Sequence, residues 1–499
     1  MSGDSNGTSV YRGYLFTLGV FLLLIVPRVV TLGFFADGMI YAAIARNMAE
    51  GLGSFWAPHY TSLFGEIFYE HPPLSFWLHS FLYRIFGDLP LLDGLYGMLL
   101  GAGVLYLTAA IYRKFSPAKE SWSPMLFLLL MPMFTWAFGN NILENLMTFM
   151  AVLAVYVQCY KPKGRIKSLA VYFFSGAILA LGVLAKSPAV LFPLAFPFFH
   201  WLILREGSFA DVIFHTAAIS AGFLTAVAVI LFPAGGEVFL KQYIDGQLLK
   251  SIAGQRGHDN RWILTIQSVL EPGTAAAIAG VIWFFFRKKV TPRFTREALL
   301  FLVIGACAIL PLFLIPKQRT YYLLPGLPFL AIALASFFEP VMNELGLWYQ
   351  SRIEAPLRRR QAWLPRAPLA LFLGSCALVG ALLWGAPGRM PEFFHDLYPL
   401  DKKVSEPIPK NSPLLFCHPK LNPDYSLISH VERYLNLDPV RSTSMNHPLP
   451  QITQEAQKKY WILRDKDKNC TLPSNCAVIS LGPTKRYDIL SCRIDHDKK

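Results

Sequence analysis

The sequence predicts an all-α, polytopic membrane domain of about eleven transmembrane helices, followed by a soluble α/β domain. The hydrophobic share is 54% against 16% charged residues, more apolar surface than a soluble fold of 499 residues would bury. Apolar runs, each long enough to cross ~30 Å of hydrocarbon, recur from Tyr14 to Ala386. After Pro387 the composition turns polar and the pattern changes to short strand-like runs.

Taken in order, residues 1–13 are polar and Gly/Ser-rich, and are expected to be disordered. The first run, Tyr14–Phe35, is too long for a cleaved signal peptide, carries Arg28, and lacks a small-residue cleavage pattern before Asp37. An outer loop over 36–88 follows, opening on Asp37 and an amphipathic stretch from Gly38 to Glu50. The next spans are Leu89–Tyr112, Trp122–Phe138, Ile142–Tyr160, Leu169–Ala185, Pro188–Leu204 and Ala210–Phe232. A second outer loop covers 233–265, and Ile266–Phe286, Ala298–Ile315, Tyr321–Phe338 and Leu369–Ala386 complete the set. The segment 339–366 is a basic connector with Pro356 and Pro365. The transmembrane domain thus occupies 14–387 and the tail domain 388–499. In the tail, Pro413–Cys417, Tyr460–Leu463, Ala477–Leu481 and Tyr487–Arg493 read as strands, and Tyr425–Leu435 as a helix.

Lysine and arginine in short loops are retained on the cytoplasmic side. With the N-terminus inside, Arg113, Lys114 and Lys119, then Lys161 to Lys167, Arg205, Arg287 to Arg296, and Arg352 to Arg366 all fall on one face. The net charge of +14 follows from this topology and calls for no nucleic-acid partner. The expected location is the inner (cell) membrane, multi-pass, with the tail periplasmic or extracytoplasmic. Cys417, Cys470, Cys476 and Cys492 lie in that tail, an even number in an oxidising compartment, where disulfides are expected in one of three connectivities.

Polar groups gather at the outer ends of the spans. Asp37 closes the first, and the loop behind it supplies His59, Glu66, Glu70 and His71. Asn140, Asn141 and Glu144 begin the fourth span, and Lys186 sits where the fifth turns into the sixth. The second outer loop offers Asp245, Lys250, Arg256, His258 and Arg261, and Pro316-Lys317-Gln318-Arg319 runs into Tyr321-Tyr322. Acids and cations on one membrane face suit an anionic substrate with a reacting hydroxyl or sugar. Each has a plainer reading: Asp37 as a helix N-cap, Glu144 as a partner of the macrodipole, Lys186, Lys317 and Arg319 as snorkelling side chains. Glu70 and His71 with His59 or His258 are residue types that hold a divalent metal, but without a compact ligand spacing. No P-loop, dinucleotide fingerprint, GxSxG elbow or paired CxxC occurs, which excludes those soluble chemistries.

Asp37-Gly38, Tyr41, Ala45, Met48 and Gly51, then Pro58-His59, Tyr69-Glu70-His71-Pro72-Pro73-Leu74, Trp77 and Phe86-Gly87 form an ordered set. Asn141 and Glu144, Leu181-Gly182, Leu184-Ala185-Lys186, Pro188, and Pro316-Lys317, Arg319, Tyr321-Tyr322-Leu323-Leu324-Pro325 and Pro328 continue it. The set resembles the GT-C membrane glycosyltransferases, in particular the branch of lipid A aminoarabinose transferases and bacterial relatives of protein mannosyltransferases. It covers about the first 340 residues.

The resemblance implies transfer of a sugar, with inversion, from a polyprenyl-phosphate donor to a glycolipid, polysaccharide or protein acceptor at the outer face of the inner membrane. It implies Asp37 and Glu144 as catalytic acids and Lys317, Arg319, Tyr321 and Tyr322 as ligands of the carrier phosphate or sugar. Tyr41, His59, Glu70, His71, Lys186 and Lys250, or Arg256 in place of Lys250, complete the substrate-binding set. Where the family often has lysine this chain has His71, a weaker counter-charge when neutral, and Gly38 stands where a second acid is usual. The competing reading is a transporter or flippase of a lipid-linked sugar or anion, although such proteins carry internal repeats and midplane sites.

Overall fold

The computed structural model describes residues 4–63, 67–116, 121–231, 236–255, 261–354, 367–383, 404–405, 407–417, 425–439, 459–466, 475–480 and 486–493. In chain order its helices are α1 (Asp4–Val30), α2 (Ala36–Ala49), α3 (Leu74–Phe86), α4 (Leu91–Phe115), α5 (Ser123–Leu129), α6 (Pro132–Phe138), α7 (Glu144–Gln158), α8 (Arg165–Ala185) and α9 (Phe196–Leu204). Then come α10 (Phe209–Leu231), α11 (Gly236–Tyr243), α12 (Leu249–Ile252), α13 (Arg261–Phe286), α14 (Arg296–Ile309), α15 (Leu327–Phe337), α16 (Glu339–Tyr349), α17 (Ala367–Leu383) and α18 (Tyr425–His430). The described residues fall into two compact units, one within 1–29, 69–75 and 94–384, the other within 30–68, 76–93 and 385–499.

The first unit is a bundle of apolar helices, and the chain is a multi-pass membrane protein. Among the described residues seven helical segments are long and apolar enough to cross a membrane: Gly13–Val30, Leu91–Phe115, Arg165–Ala185, Phe209–Leu231, Trp262–Phe286, Arg296–Leu314 and Thr320–Phe337. About eleven were expected, and the shortfall has a local cause. Pro132 splits the run Trp122–Phe138 into α5 and α6, and the stretch Pro188–Ala195, with Pro193 inside it, winds as a 3-10 helix before α9. The two other runs form the shorter helices α7 and α17, of 15 and 17 residues. Helix α1 starts at Asp4, so its first turns occupy part of the polar stretch that the sequence alone reads as disordered. Small residues let backbones touch: a Cβ on Gly176 of α8 would stand 1.9 Å from the Ile219 carbonyl of α10, and one on Gly222 equally close to that of Phe173.

The second unit joins α2 and α3 to the tail. Its sheet holds β3 (Ser412–Cys417), β4 (Leu437–Pro439), β5 (Lys459–Asp465), β6 (Cys476–Val478) and β7 (Tyr487–Arg493), after a short hairpin, β1 (Gly53–Ser54) and β2 (Ala57–Pro58), in the outer loop. The strand order is β4-β3-β5-β7-β6, parallel across β4, β3 and β5 and antiparallel beyond. Period-two alternation sends Trp461, Leu463, Ile489 and Leu414 to one face, where they meet Leu427 and Val431. Tyr460, Ile462, Leu490 and Leu415 face the other way. Cys476 and Cys492, register partners across β6 and β7, are disulfide-bonded. Cys470 and the side chain of Cys417 lie outside the described residues. The predicted helix Tyr425–Leu435 is α18 continued as a π-turn, Val431–Leu435. Strand β4 has no counterpart in the sequence reading, being three residues long and holding Pro439.

Helix α2 departs from expectation. Instead of an amphipathic surface stretch it is buried on every side from Gly38 to Met48, Arg46 and Asn47 included. The burial is sustained by partners: Arg46 Nη2 bonds Glu432 Oε1 at 2.9 Å and Asn47 Oδ1 at 2.7 Å. The neighbouring Arg433 forks onto Asp93, Nε to Oδ2 at 2.9 Å and Nη2 to Oδ1 at 2.8 Å, and reaches Asp88 at 2.8 Å. Tyr83 donates its hydroxyl to Asp93.

Two expectations follow. Arg433 is 2% exposed, so Arg433→Ala strands buried Asp93 and should cost about 3–5 kcal/mol, read by chemical or thermal unfolding of the purified chain. Burial lifts Glu432 to about 8, against the opposing pull of Arg46. A carboxyl raised in the folded state stabilises most at acid pH, and that contribution is lost as pH rises through about 8. The melting-temperature advantage of the wild type over Glu432→Gln should therefore shrink between pH of about 5 and 9; a gap that is constant or widens contradicts the raised value.

Candidate functional site

The first unit assembles its polar cluster at the corner between α6 and α7. Asn140 donates through Nδ2 to the Trp136 carbonyl at 2.7 Å, and Asn145 to that of Ala137 at 3.0 Å. Asn141 takes the left-handed conformation, φ 50°, which asparagine tolerates better than most residues. The corner sets Glu144 in the first turn of α7, where the helix dipole favours a carboxylate; the N-cap is Leu143, so Glu144 is not the capping residue.

Lys186 terminates α8 with φ −154° and ψ −58°, and the chain then leaves through extended Ser187. Its Nζ forms an ion pair with Glu144 Oε1. Glu144 is 1% and Lys186 9% exposed, which removes the snorkelling reading for this lysine. Two rings flank the ammonium, with centroids of Tyr322 at 4.8 Å and Tyr321 at 5.4 Å. Tyr321 stacks on Trp136 at 5.9 Å and Tyr322 meets it edge-on at 5.2 Å. From α11, Tyr243 donates its hydroxyl to the Lys186 carbonyl at 3.0 Å, and burial pushes that phenol up to about 12.

Of the predicted residues, Glu144, Lys186, Tyr321 and Tyr322 thus converge. Gln318 is buried and its amide donates to the carbonyls of Leu312, Phe313 and Ile315 at 3.1–3.3 Å, which fixes the turn. Its neighbours Lys317, half-buried, and Arg319, exposed, precede the 3-10 helix Thr320–Gly326 that carries both tyrosines. Tyr69 packs on Phe239 of α11 at 5.5 Å, so half-buried Glu70 and His71 follow a residue seated on the same helix as Tyr243. Lys250 is exposed on α12, and Arg256 and His258 lie outside the described residues. Among the described residues no group of three or more His, Cys, Asp or Glu side chains stands ready for a metal.

Asp37, Tyr41 and His59 belong to the second unit. Asp37, half-buried, is in the first turn of α2, whose N-cap is Phe35, so its carboxylate is not the cap. Tyr41 is 6% exposed against Phe76, ring centroids 5.6 Å apart. His59 gives its carbonyl to Asn47 Nδ2 at 3.3 Å. Sequence reasoning passed over Tyr243 and Trp136. Trp136 carried no signal beyond being one aromatic in an apolar run.

Residues 70–232 match the family model described as dolichyl-phosphate-mannose-protein mannosyltransferase. An uncharacterized protein of Aquifex aeolicus (strain VF5) is 26% identical over 332 residues, 64% of this chain and 63% of the relative. The chain thus spans under two thirds of that relative's length. The crystal structure of ArnT from Cupriavidus metallidurans bound to undecaprenyl phosphate superposes with a TM-score of 0.64 at 14% identity, covering 98% of both chains. The apo state of the same protein gives 0.59 at 14% identity, covering 96% of this chain and 97% of that one. The chain shares the fold of these structures.

The buried pair makes its own prediction. Glu144→Ala or Lys186→Ala alone leaves an uncompensated charge and should cost about 3–5 kcal/mol. The double variant should lose less than the two costs added, a double-mutant cycle in unfolding of the purified chain giving the coupling.

Proposed function

We propose that the chain is an integral membrane glycosyltransferase that moves a sugar from a polyprenyl-phosphate donor to an acceptor at the outer face of the cell membrane. The observation that carries this reading is the Glu144–Lys186 ion pair walled by Tyr321 and Tyr322, directly downstream of Lys317 and Arg319. An acid held by a fixed cation beside aromatic faces is a surface for a polyhydroxylated ring, and two further cations in the same segment suit a phosphate. The mannosyltransferase family model and the fold shared with an undecaprenyl-phosphate-bound protein support the same donor class.

In this mechanism the acceptor oxygen attacks the anomeric carbon from the face opposite the carrier. The new bond to oxygen forms as the bond from that carbon to the phosphate oxygen breaks, and the phosphate leaves with the electron pair. Inversion follows. Lys317 and Arg319 neutralise the charge growing on the leaving phosphate. When the acceptor is a hydroxyl, Asp37, in the first turn of α2, takes its proton as general base. An acceptor phosphate, already ionised, asks less of it. Glu144 and Lys186 orient the sugar through its hydroxyls, and Tyr41, His59, Glu70, His71 and Lys250 complete the binding surface. Acceptor classes are a glycolipid of the lipid A type, a polysaccharide or a protein.

Purified protein should transfer labelled sugar from a polyprenyl-phosphate donor, detected by mass on the acceptor. Asp37→Asn should lower kcat by roughly 100-fold or more with a hydroxyl acceptor, and Lys317→Ala with Arg319→Ala by a similar factor. Transfer that persists at full rate in both Asp37→Ala and Glu144→Ala defeats the assignment.

A further inference from the structure

The tail segment Glu432-Arg433-Tyr434 holds three separate stretches in and beside the outer loop, one per residue. Glu432 takes α2: its Oε1 receives Arg46 Nη2 at 2.9 Å and Asn47 Nδ2 at 3.2 Å, and its carbonyl receives Arg46 Nη1 at 2.8 Å. Arg433 takes the corner between α3 and α4 through Asp93, Asp88 and the ring of Tyr83, 5.4 Å from its guanidinium. Tyr434 takes the connection between α1 and α2: its hydroxyl accepts the backbone N–H of Gly33 at 2.7 Å.

These contacts bracket Asp37 along the chain. Gly33 is four residues before it, and Arg46 is nine residues after it on the same helix. A helix rises 1.5 Å per residue with 3.6 residues per turn, so pinning one end of α2 and the connection entering it fixes both its axial position and its rotation. Asn47 extends the hold to the hairpin loop, donating to the carbonyls of Tyr60 at 3.1 Å and His59 at 3.3 Å. The loop tip is fixed as well, with Ser62 N 2.8 Å from Asp438 Oδ1 and Leu63 N 2.8 Å from the Pro439 carbonyl.

The chemistry is costly for a merely structural purpose. Arg46 is 0% exposed, Glu432 and Arg433 2%, and hydrophobic residues of equal volume pack such positions at no lower stability. Directional, bidentate bonds supply what apolar contacts do not, a single register. The three residues lie on a π-turn, Val431–Leu435, a rare backbone form that recurs at functional sites.

We infer that Glu432, Arg433 and Tyr434 are positioning residues that set the place of Asp37, which makes the tail domain part of the reaction machinery. This rests on the sugar-transfer reading, in which Asp37 is the base. The mildest test is Tyr434→Phe, which keeps the ring and removes the bond to Gly33; Glu432→Gln keeps the volume and offers Arg46 and Asn47 an amide in place of the carboxyl. In the transfer assay with the full chain, both should lower kcat at least ten-fold while KM for the donor stays within two-fold and the melting profile remains that of a folded protein. The exchange Arg46→Glu with Glu432→Arg should recover part of the rate that either single change removes. If Tyr434→Phe and Glu432→Gln turn over at the wild-type rate while Asp37→Asn is slow, the positioning role is wrong and the transfer reading stands. If the wild type itself moves no sugar, the reading fails and takes the inference with it.

Discussion

Removing a charged group from water costs several kcal/mol unless an opposite charge and hydrogen bonds replace the lost solvent. The placement of Glu144, Lys186, Arg46, Glu432, Arg433 and Asp93 follows from that cost. In the bundle the constraint brings the start of α7 to the end of α8, because neither Glu144 nor Lys186 is tolerable where it lies without the other. In the second unit it makes α2, which would otherwise be an apolar helix free to turn about its axis, depend on an acid 386 residues away. Both pairs are therefore determinants of register as much as of stability.

The bundle's second constraint is the backbone. Within an apolar surround every peptide group must find a partner, and proline removes one. The short helices around the candidate site are where those interruptions fall: before α6, before α9, and in the 3-10 segments flanking Lys317 and Arg319. A helix end leaves N–H or carbonyl groups and a fractional charge pointing outward. The interruptions at Pro132 and within Pro188–Ala195 account for two of the four expected spans that, among the described residues, fall short of full spanning length.

Much of this was legible from the residues. Hydropathy located the apolar helical runs though not α3, α11, α12 or α16, period-two alternation located β3, β5 and β7, and the ordered motifs pointed to Glu144, Lys186, Tyr321 and Tyr322, which do converge. The burial of α2 was not legible, because Arg46 and Asn47 look like the polar face of an amphipathic helix until Glu432 is known to meet them. Adjacent Glu432 and Arg433 sit between apolar Val431 and Leu435, and nothing local says that they serve two different partners. The disulfide was legible as a set of cysteines, while the choice of Cys476 with Cys492 needed the register of β6 on β7.

Glu271 illustrates the same limit from inside a span. It is 2% exposed on α13, a position where an acid reads as a candidate for function. Its Oε2 accepts the backbone N–H of Met133 at 2.9 Å, and one turn away Thr274 donates to the Leu130 carbonyl at 3.0 Å. Those backbone groups lie on either side of the break between α5 and α6, so α13 supplies partners for groups that the break takes out of a continuous helix. A carboxylate suits the task because it faces the positive end of α6. Since α6 leads through Gly139 into the Asn140-Asn141 corner, the repair fixes the direction from which the chain enters α7 at Glu144. The buried acid of α13 is thereby explained by geometry upstream of the candidate site, with no substrate of its own required.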